Sequence, residues 1–150
     1  MSELKEQIRT DLKSAMKAKE KDRMTAIRSL LAAIQAEETS GTRHEITDED
    51  VLKVIAREIK KRRESAQVYA DNGRPELAEA ELAEVPFFEV YQPAQLDDDQ
   101  LAELVDSAVA EVGADSMAQM GQVMKVASAK AAGAVDGKRL SDAVKARLSK

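Results

Sequence analysis

The chain contains no cysteine, no tryptophan and a single histidine, and aromatic residues make up only 3% of it. Each shortage excludes something. Without cysteine there are no disulfides and no thiolate metal ligands, which fits a reducing compartment. One histidine cannot supply a two-histidine dyad, or a metal site needing two imidazoles from one chain. With so few aromatics, the core must be built from Leu, Ile, Val, Met and Ala. Six glycines and three prolines in 150 residues, beside abundant alanine, favour helix over sheet. No apolar run approaches the roughly 20 residues needed to cross a bilayer. The N-terminal "MSELKEQIRTDLKSAMK" is charged from its third residue and lacks the apolar centre of a signal peptide. These absences predict a cytoplasmic protein that does not enter a membrane.

What the chain does have is charge and period. Hydrophobic residues reach 43%, enough for a packed core, and charged residues reach 34%, typical of exposed helices. The net charge of −5 argues against indiscriminate coating of nucleic acid. A local basic patch can still meet phosphates, because affinity depends on which charges face the ligand.

Every segment repeats at helical period. Leu4, Ile8, Leu12, Ala15 and Met16 predict a helix over about 3–19, and Met24, Ile27, Leu31 and Ile34 another over 22–38, with Asp22 as its expected cap. "TSGTRHEI" is a loop. Thr47 with Asp50 three residues on starts a third helix that runs to about Ala70. Gly73 and Pro75 punctuate the next junction, and a fourth helix over 76–91 is expected to be disturbed by Pro86. Pro93 marks a boundary. Asp97 and Gln100 then form a capping-box pair for a fifth helix that Gly113 closes. A sixth begins near Ser116, and a seventh covers 138–149. The expected fold is all-α: a helical domain of about four helices over 1–92, then a small three-helix tail over 93–150.

The acidic chain concentrates its basic residues in "REIKKRRESA", residues 57–66. On a helical wheel Leu52, Ile55, Ile59, Ala66 and Ala70 share one side, while Lys53, Arg57, Lys60 and Lys61 share an outer face. That face reads either as solvated surface or as a footprint for an anionic partner. Arg63 falls within the apolar stripe, so a structural ion pair with a glutamate of the fourth helix is expected; the alternative is that Arg62 and Arg63 line a groove for an anion.

Signals of catalysis are thin. His44 lies in a loop, and no phosphate loop or dinucleotide fingerprint is present. "DDD" at 97–99 reads as a helix start rather than a metal site, and Met117, Met120 and Met124 read as core filler. No metal and no cofactor are expected. Gly121 interrupts a strong helix, which calls for close packing or for close approach of a ligand.

"EIKKRRESA", "YQPAQL", "GADSMAQMGQVMK" and "DGKRLSDAVKARL" fit, in order and at the right spacing, a known pattern. The chain resembles the YqeY family over essentially its whole length. Members are small all-helical bacterial proteins, similar to the C-terminal helical region of GatB, a subunit of the glutamine-dependent amidotransferase that acts on mischarged Glu-tRNA or Asp-tRNA. "GQVMK", residues 121–125, is the strongest local echo. In GatB that tail helps recognise tRNA, while the chemistry occurs elsewhere; similar modules are appended to some glutaminyl-tRNA synthetases. The resemblance implies a non-catalytic accessory protein that binds tRNA, or associates with a tRNA amidotransferase or an aminoacyl-tRNA synthetase. Its contacts would be Lys125, Lys130, Gly137, Lys138 and Arg139 in the tail, with Arg57, Lys60 and Lys61 as a second footprint. The alternative is a protein–protein interaction module that has lost RNA binding. Carbon–nitrogen ligase activity with glutamine as amido donor, as part of an amidotransferase complex, is the least favoured reading, because no nucleophile–base pair is visible.

Two departures weaken the RNA reading. Ala132 and Ala134 stand where relatives carry basic residues, and Gln92 replaces an apolar hinge residue. Residues 93–150 hold seven basic and nine acidic side chains, a net of −2. Any unaided tRNA binding is therefore expected to be weak.

Overall fold

The computed structural model describes residues 2–40 and 45–150; His44 lies outside the described residues. Among the described residues seven α-helices and one 3₁₀ turn account for the regular structure, and there is no strand. The fold is all-α. The chain forms two compact units, Met1–Gln92 and Pro93–Lys150.

In the first unit, α1 (Glu3–Ala18) and α2 (Lys21–Thr39) pack as a hairpin, and α3 (Asp48–Asp71) packs along α4 (Pro75–Glu89). The α1–α2 break needs no glycine: Lys19 itself turns left-handed at φ 57° and closes α1. Asp22 is not the cap of α2. It sits in the first turn, and Glu20 occupies the cap position without a side-chain bond. Thr47 and Asp50 form the reciprocal capping box that their spacing demands. Ser2 caps α1 by accepting from Lys5 N–H, and its hydroxyl donates to Asp48, tying the starts of α1 and α3 together. The bond from the Ser2 hydroxyl, with that from the Leu4 N–H, holds the Asp48 carboxyl below the usual range. Pro75 opens α4 after Gly73, which is left-handed at φ 71°. Pro86 does not end α4, which continues to Glu89.

The core of this unit is aliphatic apart from Phe88 and Tyr91; it includes Ile8, Ile27, Leu30, Ile34, Val51, Val54, Ile55 and Ile59. Phe88 is fully buried and so contributes about 1.5–3 kcal/mol by removal from water. Tyr91 closes the unit by donating its hydroxyl to Asp11. Burial, and then the Asp11 carboxylate, hold the proton on Tyr91 far into the alkaline range.

The second unit is smaller and drier in chemistry. α5 (Asp98–Val112) starts on the Asp97–Gln100 capping box and ends at Gly113, left-handed at φ 73°. Ser116 precedes a 3₁₀ turn (Met117–Gln119), and α6 (Met120–Ala131) begins only after it. Ala132 ends α6 at φ 47°, a conformation that disfavours any side chain with a Cβ. Asp136 caps α7 (Gly137–Leu148) by accepting from Arg139 N–H. The core is Val, Ala and Leu: Val105, Ala108, Val123, Ala127, Leu140 and Val144 are each 2% exposed or less.

Candidate nucleic-acid interface

The basic run on α3 splits into a surface and a pin. Arg62, not Arg63, is the buried arginine. It is 7% exposed, its Nε donates to Glu84 Oε2 at 2.7 Å, and its two terminal nitrogens reach Glu58 Oε1 at 3.1 Å and Ser29 Oγ at 3.0 Å. Its guanidinium lies 4.3 Å over the Phe88 ring. One planar cation thus ties α2, α3 and α4 together, a task that suits arginine and not lysine. Arg63 does meet a glutamate of α4, Glu89, at 3.8 Å, but both side chains are about half exposed, at 52% and 47%. A surface pair of that kind is worth little. The reason lies in the stripe. Val51 and Val54 are buried as well, and at about 100° per residue they turn the apolar face away from Arg63 and onto Arg62. The signal was present as the run Val51, Ile55, Ile59, Arg62, Ala66, at spacings of four, four, three and four.

The outer face of α3 is largely neutralised by neighbours. Arg57 donates to Glu37 at 3.0 Å, Lys53 pairs with Glu49 at 3.4 Å, and Lys60 pairs loosely with Glu64 at 3.8 Å. Lys61 is exposed and has no ion pair among the described residues.

In the tail, the residues expected to meet nucleic acid fare differently. Arg139 is engaged: Nη1 donates to Leu96 O at 2.6 Å and Nη2 to Asp98 Oδ1 at 2.7 Å. Together with the Leu96 N–H bond to Ala134 O, it straps the segment before α5 onto the loop before α7. The Asp136 carboxylate already complements the start of α7, at Gly137. Lys130 pairs with Glu111 at 3.0 Å. Lys125 and Lys138 are exposed and carry no ion pair among the described residues.

Lys125 and Lys130 border a shallow groove between α5 and α6, with Val112, Val126 and Ala129 along it. Gly121 lies on the exposed side of α6, and nothing stands within 4 Å of the position a Cβ would take. Close packing of α6 on a neighbour is therefore not what Gly121 serves. Among the described residues no cluster of histidine, cysteine, aspartate and glutamate is arranged to hold a metal ion. Among the described residues no helix is long and apolar enough to cross a membrane.

The chain is similar to the mitochondrial protein "Altered inheritance of mitochondria protein 41" of several yeasts. The Kluyveromyces lactis protein is 33% identical over 87 residues, which is 58% of this chain and 47% of that protein. The Clavispora lusitaniae protein is 30% identical over 121 residues, 79% of this chain and 70% of that protein. The Meyerozyma guilliermondii protein is 35% identical over 85 residues, 56% of this chain and 43% of that protein. This chain thus spans about half the length of the Kluyveromyces relative. The model of the Yqey-like protein family matches residues 5–148, nearly the whole length. The chain belongs to the YqeY family.

Proposed function

We propose that this protein is a non-catalytic accessory module that acts around tRNA and the enzymes that charge or amidate it, through weak phosphate contacts from its tail unit. The observation that carries the reading is the pair Lys125 and Lys138, exposed and free of carboxylate partners among the described residues, within the segments that resemble the GatB tail. Gly121 leaves the α6 backbone open beside Lys125. Arg139 belongs to the internal strap, so it positions the start of α7 rather than reaching for phosphate. Any carbon–nitrogen ligase chemistry resides, on this reading, in a complex that the chain joins. The proposed compartment is the cytoplasm.

The test is a gel shift with total tRNA at low salt. The double variant Lys125→Glu/Lys138→Glu, both sites exposed, is expected to abolish the shift while leaving the thermal melt unchanged. Unchanged tRNA binding by a folded double variant contradicts the assignment.

A second reading has its own support. Arg57, Lys60, Lys130 and Arg139 all hold carboxylates, and Ala132 and Ala134 add no charge. These features favour a protein–protein interaction module that has lost RNA binding. Retrieval of a specific protein partner after nuclease treatment, with no tRNA shift at any salt, selects it.

A further inference from the structure

The α1–α2 hairpin carries a groove that the tail-based reading does not use. One face of each helix lines it: Lys5, Arg9 and Leu12 on α1, at spacings of four and three, and Arg28, Leu31 and Ala32 on α2. Leu12 and Leu31 are half-buried and pack against the core of the unit, so the floor is apolar and continuous with that core. Met16, one turn beyond Leu12 on α1, is 49% exposed and extends the apolar line. The α1 side of the groove, from Lys5 to Met16, is about 16 Å long, three turns of helix, with cations in its first two turns and the apolar pair Leu12 and Met16 in its last.

The walls are cationic. Glu38, the carboxylate among the lining residues, is already tied to Lys5 at 2.5 Å. Arg28 has no ion pair among the described residues. Arg9 has only an exposed 3.4 Å contact with Glu6, which is worth little. In a chain of net charge −5 whose other arginines are mostly matched with carboxylates, Arg9 and Arg28 line one groove beside Leu12 and Leu31 with their charge little used.

We infer that the α1–α2 groove is a docking site for an acidic amphipathic helix of a partner protein. The helix would lay a Leu-like stripe on Leu12, Leu31 and Met16, and set carboxylates on both flanks against Arg9 and Arg28. Helix-in-groove recognition asks for an apolar contact at its centre and rims of opposite sign, and Leu12, Leu31 and Met16 between Arg9 and Arg28 supply both. Nucleic acid fits less well. The four aromatic residues, Tyr69, Phe87, Phe88 and Tyr91, lie on α3, α4 and just beyond, so none lines the groove to stack a base, and phosphates gain nothing from a leucine floor. The inference goes beyond the tail-based function and does not depend on it.

The test uses the full chain and a fluorescein-labelled synthetic peptide of about 14 residues, with leucines repeating at helical spacing and glutamates on both flanks. A scrambled peptide of the same composition is the control. The expected result is saturable anisotropy for the amphipathic peptide and binding about tenfold weaker or more for the scrambled one. Arg9→Glu/Arg28→Glu should weaken the amphipathic peptide by about tenfold or more, and Ala32→Glu, which places a bulky like charge on the exposed wall, should do the same. The thermal melts of these surface variants should not move. Equal affinity for both peptides, or indifference to all three substitutions, overturns the proposal. So does binding of tRNA, or self-association of the chain, that depends on Arg9 and Arg28 while the peptide does not bind. Lys125→Glu/Lys138→Glu leaves peptide binding intact, which separates this result from the tail-based function.

Discussion

Arg62 in the N-terminal unit is 7% exposed and touches two carboxylates, a hydroxyl and a phenyl ring on three helices, whereas the best-connected arginine of the tail, Arg139, sits at the rim and holds backbone. The difference follows from the elements available. The long α3–α4 hairpin brings glutamates and Phe88 to one point, so a cation can be buried with its donors satisfied. The tail has short helices, a core of Val, Ala and Leu, and no aromatic residue at all, so its arginine is left to strap a loop. One residue type thus serves as a core pin in one unit and as a loop clamp in the other. Neither role leaves that arginine for a ligand.

Arg62→Met strands Glu58 and Glu84 beside each other, and is expected to destabilise the N-terminal unit by roughly 3–4 kcal/mol. Arg63→Met should cost under about 0.5 kcal/mol, as an exposed pair does. Tyr69 and Tyr91 lie in the N-terminal unit, so tyrosine fluorescence in urea follows that unit alone and checks both values. Leu140→Ala, at a site 2% exposed, should cost the tail roughly 2–3 kcal/mol. Far-UV circular dichroism should then show an early transition that tyrosine fluorescence does not follow. A fluorescence midpoint that shifts equally contradicts separate cores.

Tyr91→Phe removes the bond to Asp11 and should cost about 1 kcal/mol near neutral pH. The sign of its pH dependence is fixed by the raised Tyr91 pKa. The stability it supplies is whole below the ordinary tyrosine pKa of about 10 and is lost as pH climbs beyond it. Wild-type stability measured from pH 8 upward should therefore fall more steeply than that of the variant. The smallest effect is expected at Ala132. Glycine there relieves a left-handed alanine, offset by a more flexible unfolded chain, for a net gain of about 0.5 kcal/mol in the melting of the tail.

Much of this was legible in the residues because caps and stripes are local. Thr47 with Asp50, Asp97 with Gln100, and Gly113 each act within one turn, and all are found as their spacing demands. The all-α class follows from period and composition for the same reason. What was not legible depends on partners distant in sequence. Choosing Arg62 over Arg63 needs the stripe to include Val51 and Val54, and then needs Ser29 and Glu84, which are 33 and 22 residues away. The engagement of Arg139 needs Leu96 and Asp98, 43 and 41 residues away. Lys19 carries no local sign of its left-handed turn. The site was readable as a list of cations, but which of them remain available is decided by tertiary pairing.

The most direct measurement is the affinity of the full chain for total tRNA, by anisotropy, across a salt series. With Lys125 and Lys138 as the phosphate contacts, the account predicts weak binding whose log affinity falls linearly with log salt, at a slope of about −2. No binding at the lowest salt, or a slope of about −5 or steeper that would require the paired cations as well, contradicts it.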